Sequence, residues 1–248
     1  MKCARDFAES VKKLRDWLQT TVAREDADFA MWLLLHVTKE PGILRVMFHT
    51  EFELDTFTGM PAILSLGGEE WLNDEALRGI LAFFQRIYGQ GGQILFLPPL
   101  GLQFGDRWCF GKEHITRGCA KKVFMVVHME NHWGAACFDL QEYSVAFGDS
   151  LRCRAPRDEL QRIVEWLKPL MGQPERWDQA LNEIQQFRVP QQQDQVSCGV
   201  MASTAIERAV NQHFAWEEEV SPLSLRIRYL RLLTAYTKVS FDLLLGPR

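Results

Sequence analysis

The chain has 248 residues, of which 47% are hydrophobic and 24% charged, and its formal net charge is −4. This balance is typical of a folded globular protein and excludes a disordered chain. The acidic charge argues against nucleic acid as a partner, and the longest strongly apolar run, residues 29–37, is too short for a membrane span.

The cysteines form neither a C-x-x-C pair nor a Cys/His set with zinc-ligand spacing. This pattern predicts free thiols in a reducing compartment, with no metal and no other cofactor. Residues 1–14 are too charged for a secretory signal, so we expect a cytoplasmic or nuclear protein, with secretion as an effector left open. The six cysteines are Cys3, Cys109, Cys119, Cys137, Cys153 and Cys198.

Two helical patterns occupy the N-terminal residues. Apolar residues recur at helical spacing from Phe7 to Leu18 and again over residues 27–37, before the turn signal Pro41-Gly42. These patterns predict a helical extension over residues 1–54, followed by one domain over residues 55–248.

The second region begins with a capped helix. Asn73 is a favourable N-cap, the next residues are acidic, an apolar stripe follows, and Gly89 ends the pattern. Residues 94–97 and 123–128 read as strands, and the second is apolar on both faces, which predicts a central position in a sheet.

The remaining pattern predicts an α+β fold, with a small, mostly antiparallel central sheet flanked by helices. Residues 132–139 and 143–149 form a predicted hairpin, which a helix follows. The later elements are predicted at residues 157–170 (helix), 187–189 (strand), 198–210 (helix) and 223–237 (helix).

Cys198 is the candidate nucleophile of the chain. It opens an apolar helical pattern, where unpaired N–H groups and the positive end of the helix dipole favour a thiolate. A single cysteine on an apolar helix is more often structural, because free cysteine is a commonly buried residue. A catalytic thiol therefore needs a base and an orienting acid elsewhere in the chain.

The predicted hairpin selects an acid for His132. Asp139 lies seven residues along the same strand, roughly 23 Å away at about 3.3 Å per residue. A two-residue loop at Leu140-Gln141 places Asp149 opposite His132, and a three-residue loop shifts the pairing by one residue. Asp149 is thus the expected partner of His132, and Asp139 is expected to support the turn.

Attack on a carbonyl also requires donors for the developing oxyanion. The amide of Gln192 and the backbone N–H of Cys198 are candidates. Gln191 and Gln193 are rivals of Gln192 on composition alone.

Four short motifs resemble those of the ubiquitin-like-protein-specific cysteine proteases, the SUMO (sentrin) protease and adenain-like family. The seventeen-residue step from His132 to Asp149 and the six-residue step from Gln192 to Cys198 match its pattern, over roughly residues 55–240. The motifs are Trp71-Leu72-Asn73-Asp74, His132-Trp133, Asp149-Ser150, and Pro190-Gln191-Gln192 with Ser197-Cys198-Gly199.

The resemblance implies an adenain-like fold and a cysteine peptidase that cleaves after the C-terminal Gly-Gly of a SUMO-type or related modifier, in deconjugation or precursor processing. It implies a modifier and its conjugates as partners, and neither nucleic acid nor membrane. The implied roles are nucleophile for Cys198, general base and acid for His132, orienting acid for Asp149, oxyanion donor for Gln192, enclosure of the Gly-Gly tail for Trp71 and Trp133, and modifier contact for Asp74.

Two departures from the family pattern leave the modifier open. Ser197 stands where the family often has aspartate, and the strand after Trp133 begins with the small residues Gly134-Ala135-Ala136. Three alternatives remain: a deubiquitinase on the same fold, an effector-type acetyltransferase with the same triad order, and a modifier-binding module without turnover. The sequence shows no basic cluster for acetyl-coenzyme A.

Overall fold

The computed structural model describes residues 12–22, 24, 27–39, 46–48, 56–58, 65–67, 70–99, 111–211 and 221–245. Residues 12–17 are helical and continue as a π-helical turn, Leu18–Val22. The helices that follow are α1 (Ala27–Lys39), α2 (Asp74–Tyr88), α3 (Lys112–Thr116), α4 (Arg157–Met171), α5 (Pro174–Asn182), α6 (Cys198–Val210) and α7 (Pro222–Leu245). The strands are β1 (Val46–Phe48), β2 (Thr56–Thr58), β3 (Ile94–Leu97), β4 (Lys122–Met129), β5 (His132–Asp139), β6 (Ser144–Asp149) and β7 (Gln185–Gln186).

Within the described residues, the main sheet has the strand order β3-β4-β5-β6-β7. β5 pairs antiparallel with β4 and with β6, whereas β3 pairs parallel with β4 and β7 parallel with β6. The predicted α+β fold is confirmed, but the sheet is mixed, because its outer strands arrive through helical crossovers and not through hairpins.

Helices cover both faces of this sheet. Phe124 and Val126 of β4 point into a core shared with α2, α6 and α7. Val123 and Met125 point into a second core shared with α4 and α5. The predicted central strand with two buried faces is therefore confirmed.

The predicted ends of α2 are confirmed. The side-chain oxygen of Asn73 accepts a hydrogen bond from the N–H of Ala76 at 2.8 Å. At the other end, the N–H of Gly89 donates to the carbonyl of Gln85 at 2.9 Å. This fixes the start of α2, next to Trp71 and Leu72.

The strand predicted at residues 187–189 lies two residues earlier, as β7. Gly148 explains the shift, since a Cβ there would lie 1.9 Å from the carbonyl oxygen of Phe187. The close backbone approach ends the pairing, and the N–H of Phe187 donates to the Phe147 carbonyl at 2.9 Å. Helix α5 was not predicted, although Pro174 at its first turn and buried Trp177 are the local signals for it.

The predicted N-terminal helices are observed in part. Residues 12–17 and α1 are helical, while Phe7 and the turn Pro41-Gly42 lie outside the described residues. Strand β1 pairs with β2 across residue 54, and the division into residues 1–54 and 55–248 stays a prediction. In the described part of the chain, each helix is too short or too polar to cross a membrane.

Candidate active site

The site is built first from the β5–β6 hairpin. Asp139 pairs with Ser144, so the loop has four residues, and Asp149 lies opposite Gly134 rather than His132. The predicted loop of two or three residues is wrong. The pairing has moved by two positions from the two-residue-loop register, which keeps the side chains of His132 and Asp149 on one face.

The diagonal arrangement brings the two side chains together. Nε2 of His132 lies 3.0 Å from Oδ1 of Asp149. Gly134 leaves this diagonal open, since a Cβ there would lie 2.5 Å from the Phe147 ring. Asp139 is far from this contact: its Oδ1 accepts the N–H groups of Gln141 and Glu142, each at 3.0 Å, so its predicted role in the turn is confirmed.

Asp149 is a buried carboxylate, and one of its two oxygens makes both of its side-chain hydrogen bonds. Its Oδ1 also accepts the N–H of Leu151 at 2.7 Å. Its Oδ2 is buried without a hydrogen-bond partner among the described residues. Although burial raises the pKa of Asp149, its hydrogen bonds with His132 and Leu151 hold that pKa below its ordinary value.

Cys198 is the first residue of α6 and is 1% exposed. A Cβ on the next residue, Gly199, would lie 3.2 Å from Cβ of Leu72, so the helix start packs closely on the segment before α2. The thiol lies close enough to His132 to raise the pKa of that imidazole. His132 therefore stands between Cys198 and Asp149, as the sequence predicted.

The surroundings of His132 favour its charged form. Burial lowers the pKa of His132, but the hydrogen bonds to Asp149 and Cys198 outweigh it and raise that pKa to about 9. At neutral pH the imidazole is therefore protonated.

A second thiol, Cys153, also lies near this pair. A nitrogen of His132, an oxygen of Asp149 and the sulfur of Cys153 all lie within 4.8 Å of one another, a donor set that suits a transition metal. His132 and Asp149 are already bonded to each other. Burial and then the charge of Asp149 raise the pKa of Cys153, which disfavours the thiolate form of this exposed residue.

The loop before α6 holds the three glutamines. Gln192 is buried, whereas Gln191 and Gln193 are exposed. Oε1 of Gln192 accepts the hydroxyl of Ser150 at 2.5 Å, and its Nε2 donates to the carbonyl of Asp194 at 2.7 Å. The amide of Gln191 is also held, by Arg152 and by the Val189 carbonyl, but of the three rivals only Gln192 combines a held amide with burial.

Sequence reasoning missed two residues that shape this loop. Asp194 accepts the N–H groups of Val196 and Ser197 at 2.9 and 2.8 Å and the Ser197 hydroxyl at 2.7 Å. Buried Arg226 donates to the carbonyl of Val196 at 3.1 Å. The signal for Asp194 was its place three residues before a helix-starting serine, whereas Arg226 reaches the loop from α7 and had none.

The predicted tail-binding residues have different surroundings. Trp71 is 39% exposed, while Trp133 is 5% exposed and donates its indole N–H to the Leu72 carbonyl at 3.1 Å. Trp133 thereby ties β5 to the segment that carries Trp71. Asp74 lies in the first turn of α2, partly exposed, with Oδ2 3.9 Å from the guanidinium of Arg78.

Comparison with protein families identifies the region that holds this geometry. Residues 112–227 match the model of the Ulp1 protease family, C-terminal catalytic domain. The match covers 116 of the 248 residues and includes His132, Asp149 and Cys198. The predicted resemblance to this family and the predicted enzyme class, a cysteine peptidase, are confirmed.

Solved structures show the same fold. A structure of the SUMO protease Ulp1 with its catalytic cysteine oxidised to a sulfenic acid is similar with a TM-score of 0.54 and 13% identity, over 82% of this chain and 94% of that one. A sulfinic acid form gives a TM-score of 0.52 and 13% identity over the same shares. Among curated proteins, no sequence matches this chain.

Proposed function

We propose that this chain cleaves after the C-terminal Gly-Gly of a SUMO-type modifier, releasing it from conjugates or from its precursor. The observation that carries the proposal is the hydrogen bond between His132 and Asp149, with the Cys198 thiol beside the same imidazole. The modifier class is supported by the fold, because the similar structures are described as a SUMO protease.

In the proposed reaction, the Cys198 thiolate adds to the carbonyl carbon of the terminal glycine. The imidazolium of His132 gives its proton to the leaving amine as the C–N bond breaks, which leaves a thioester on Cys198. His132 then takes a proton from water, and the hydroxide adds to the thioester. The C–S bond breaks, which restores the Cys198 thiolate and releases the modifier with a free carboxylate. Asp149 keeps the imidazole oriented throughout.

Gln192 and the N–H of Cys198 are the proposed donors to the oxyanion. Support for Gln192 comes from its burial and from Ser150, whose hydroxyl fixes the amide oxygen. A donor held in advance costs no reorganisation during the reaction, and each is worth roughly 3 kcal/mol.

Trp71 and Trp133 are proposed to enclose the Gly-Gly tail, and Asp74 to contact the modifier. Exposed Trp71 supplies an open indole face, whereas buried Trp133 contributes mainly by holding Leu72 in place. Because glycine has no Cβ, it passes through a slot that excludes other residues.

The proposal includes two wider assignments. The catalytic domain covers residues 55–248, with residues 1–54 as an extension. The cytosol or nucleus suits a thiol enzyme whose described cysteines, Cys119, Cys137, Cys153 and Cys198, are free.

The test is covalent labelling by modifiers that carry an electrophilic C-terminus. SUMO-type, ubiquitin and other ubiquitin-like probes are each incubated with the wild-type protein, and the labelled residue is located by peptide mass mapping. The expected result is labelling of Cys198 by the SUMO-type probe ahead of the ubiquitin probe. Labelling of Cys153, or equal labelling of Cys198→Ala, contradicts the proposal.

A further inference from the structure

A cavity of about 1220 Å³ adjoins the active site on the Asp149 side. Its wall is formed by the end of β6, the connection to α4, and the segment around β7 as far as Gln191. It shares Asp149 with the active site, but neither Trp71 nor Trp133 lines it. The cavity is thus separate from the two tryptophans of the proposed tail slot.

Positive charge dominates this cavity. Among its lining residues the only carboxylate is Asp149, which is bonded to His132. Against it stand four arginines in a chain whose net charge is −4, so folding has concentrated positive charge here. We call this space the arginine cavity, after Arg152, Arg154, Arg157 and Arg188.

Two of the arginines have no ion-pair partner in the described part of the chain. Arg154 and Arg157 are exposed, and no described carboxylate lies within salt-bridge distance of either. Arg152 differs, because its Nε donates to Oε1 of Gln191 at 3.0 Å. The cavity therefore offers two exposed guanidinium groups. It also borders Gln191, the residue before Gln192.

We infer that the arginine cavity binds an acidic segment of the protein from which the modifier is released. This inference rests on the proposed function. The modifier tail occupies the tryptophan side of Cys198, so the leaving partner departs past His132 and Asp149, where the cavity lies. Guanidinium groups bind carboxylates in paired hydrogen bonds, which makes an acidic side chain their complement.

The size of the cavity favours a peptide over a small metabolite. Small-molecule pockets are usually about 300–1,000 Å³, and this cavity exceeds that range. Opposite charge also speeds the encounter of enzyme and conjugate, an effect that added salt screens. Acidic targets should therefore be released faster, mainly through a lower KM.

The test compares two matched conjugates. The modifier is joined by an isopeptide bond to the lysine of a fluorescent peptide that has either three glutamates or three glutamines near that lysine. Wild-type protein should release the glutamate peptide with a kcat/KM about fivefold higher at low salt, as expected for two exposed charge pairs. Arg154→Gln with Arg157→Gln should remove that preference.

Controls separate binding from chemistry. The double variant should cleave a modifier–dye substrate, which has no target peptide, at the wild-type rate. Arg117→Gln, which removes an exposed arginine outside the cavity, should keep the preference. Equal release of both peptides by wild-type protein, or an unchanged preference in the double variant, overturns the inference.

A direct binding measurement tests the peptide site separately from the proposed protease activity. Fluorescence anisotropy measures the free glutamate peptide on Cys198→Ala protein, so it needs no turnover. Binding that weakens in the same protein with Arg154→Gln and Arg157→Gln supports an acidic peptide site, even if no modifier is cleaved. Binding of inorganic pyrophosphate without binding of the peptide overturns it in favour of a phosphate-bearing ligand.

Discussion

The buried carboxylates near the two ends of helix α6 differ in how fully they are hydrogen-bonded. At the C-terminal end, Glu207 is fully buried, and both of its oxygens are hydrogen-bonded: Oε1 accepts from Tyr88 and Arg228, and Oε2 from Tyr229 and Arg228. At the N-terminal end, His132 lies beside Cys198 and hydrogen-bonds to Asp149, whose Oδ2 has no partner in the described structure.

This difference separates a structural cluster from a reactive one. A buried carboxylate whose two oxygens both accept hydrogen bonds rigidifies the fold and has nothing left to exchange with a substrate. The N-terminal cluster keeps a titratable imidazole and a nucleophilic sulfur next to a closely packed helix start. Substitutions at the N-terminal end of α6 should therefore change turnover, whereas substitutions at the C-terminal end should change stability.

The largest effect is expected from Cys198→Ala. Loss of the nucleophile should reduce turnover by at least about 10⁴-fold, while the thermal unfolding temperature stays close to that of the wild type. Turnover of a Gly-Gly modifier–dye substrate and circular dichroism are the measurements. Cys153→Ala is the matched control and should retain activity; loss of activity in that variant would reassign the nucleophile.

Asp149→Asn should come next, with kcat reduced by about 10³-fold to 10⁴-fold, because the amide no longer fixes the tautomer and charge of His132. Asp139→Asn should have a mild effect, since Asp139 supports the turn and pairs with Lys122, away from His132. Single-turnover rates of both folded variants decide the matter. A greater loss in Asp139→Asn is incompatible with the observed pairing.

Glu207→Ala should mainly affect stability. It leaves Arg228 and Tyr229 without their shared acceptor, so the free energy of unfolding should fall by about 3 kcal/mol, while kcat of the folded protein is retained. Urea unfolding with a parallel activity assay measures both. Glu159→Ala, which removes an exposed partner of Arg162, is the control and should change stability little.

Trp71→Ala tests whether an exposed residue at the entrance to the site affects catalysis without affecting stability. Because Trp71 is exposed, the substitution should leave stability unchanged and lower kcat/KM for a Gly-Gly substrate by roughly tenfold. Wild-type protein should not cut Gly-Ala or Ala-Gly tails, and Trp133→Ala should also slow Gly-Gly cleavage, at some cost in packing. Comparable cleavage of the alanine-bearing tails would remove the slot from the mechanism.

The smallest effect is a shift in pH dependence. Since the hydrogen bonds of His132 raise its pKa to about 9, the imidazolium is present below that pH and is lost as the pH rises through it. Wild-type kcat/KM should therefore fall above about pH 9. In Asp149→Asn the fall should begin at lower pH, whereas Glu207→Gln should leave the profile unchanged; an unshifted profile in Asp149→Asn contradicts this electrostatic role.

Much of the site was predictable because its signals are local. Alternation along β5 and β6 preserves which face each side chain occupies, so Asp149 was correctly chosen as the neighbour of His132 although the loop length and the strand pairing were wrong. The loop has four residues because Asp139 binds two N–H groups in it and Tyr143 adopts a positive φ of 54°. A turn of that kind depends on the tertiary setting of both strands.

The amino-acid sequence by itself determined most of the helices and strands near the site, the cap of α2, and the residues of the proposed triad. Periodicity, capping and motif spacing act over a few neighbouring residues, and a sequence displays them directly. The tertiary structure alone decided the parallel outer strands, the contact of Arg226 with the loop before Cys198, and the arginine cavity. These features join residues far apart in the chain, and their positions follow from how the two cores pack on the sheet, which no short stretch of sequence specifies.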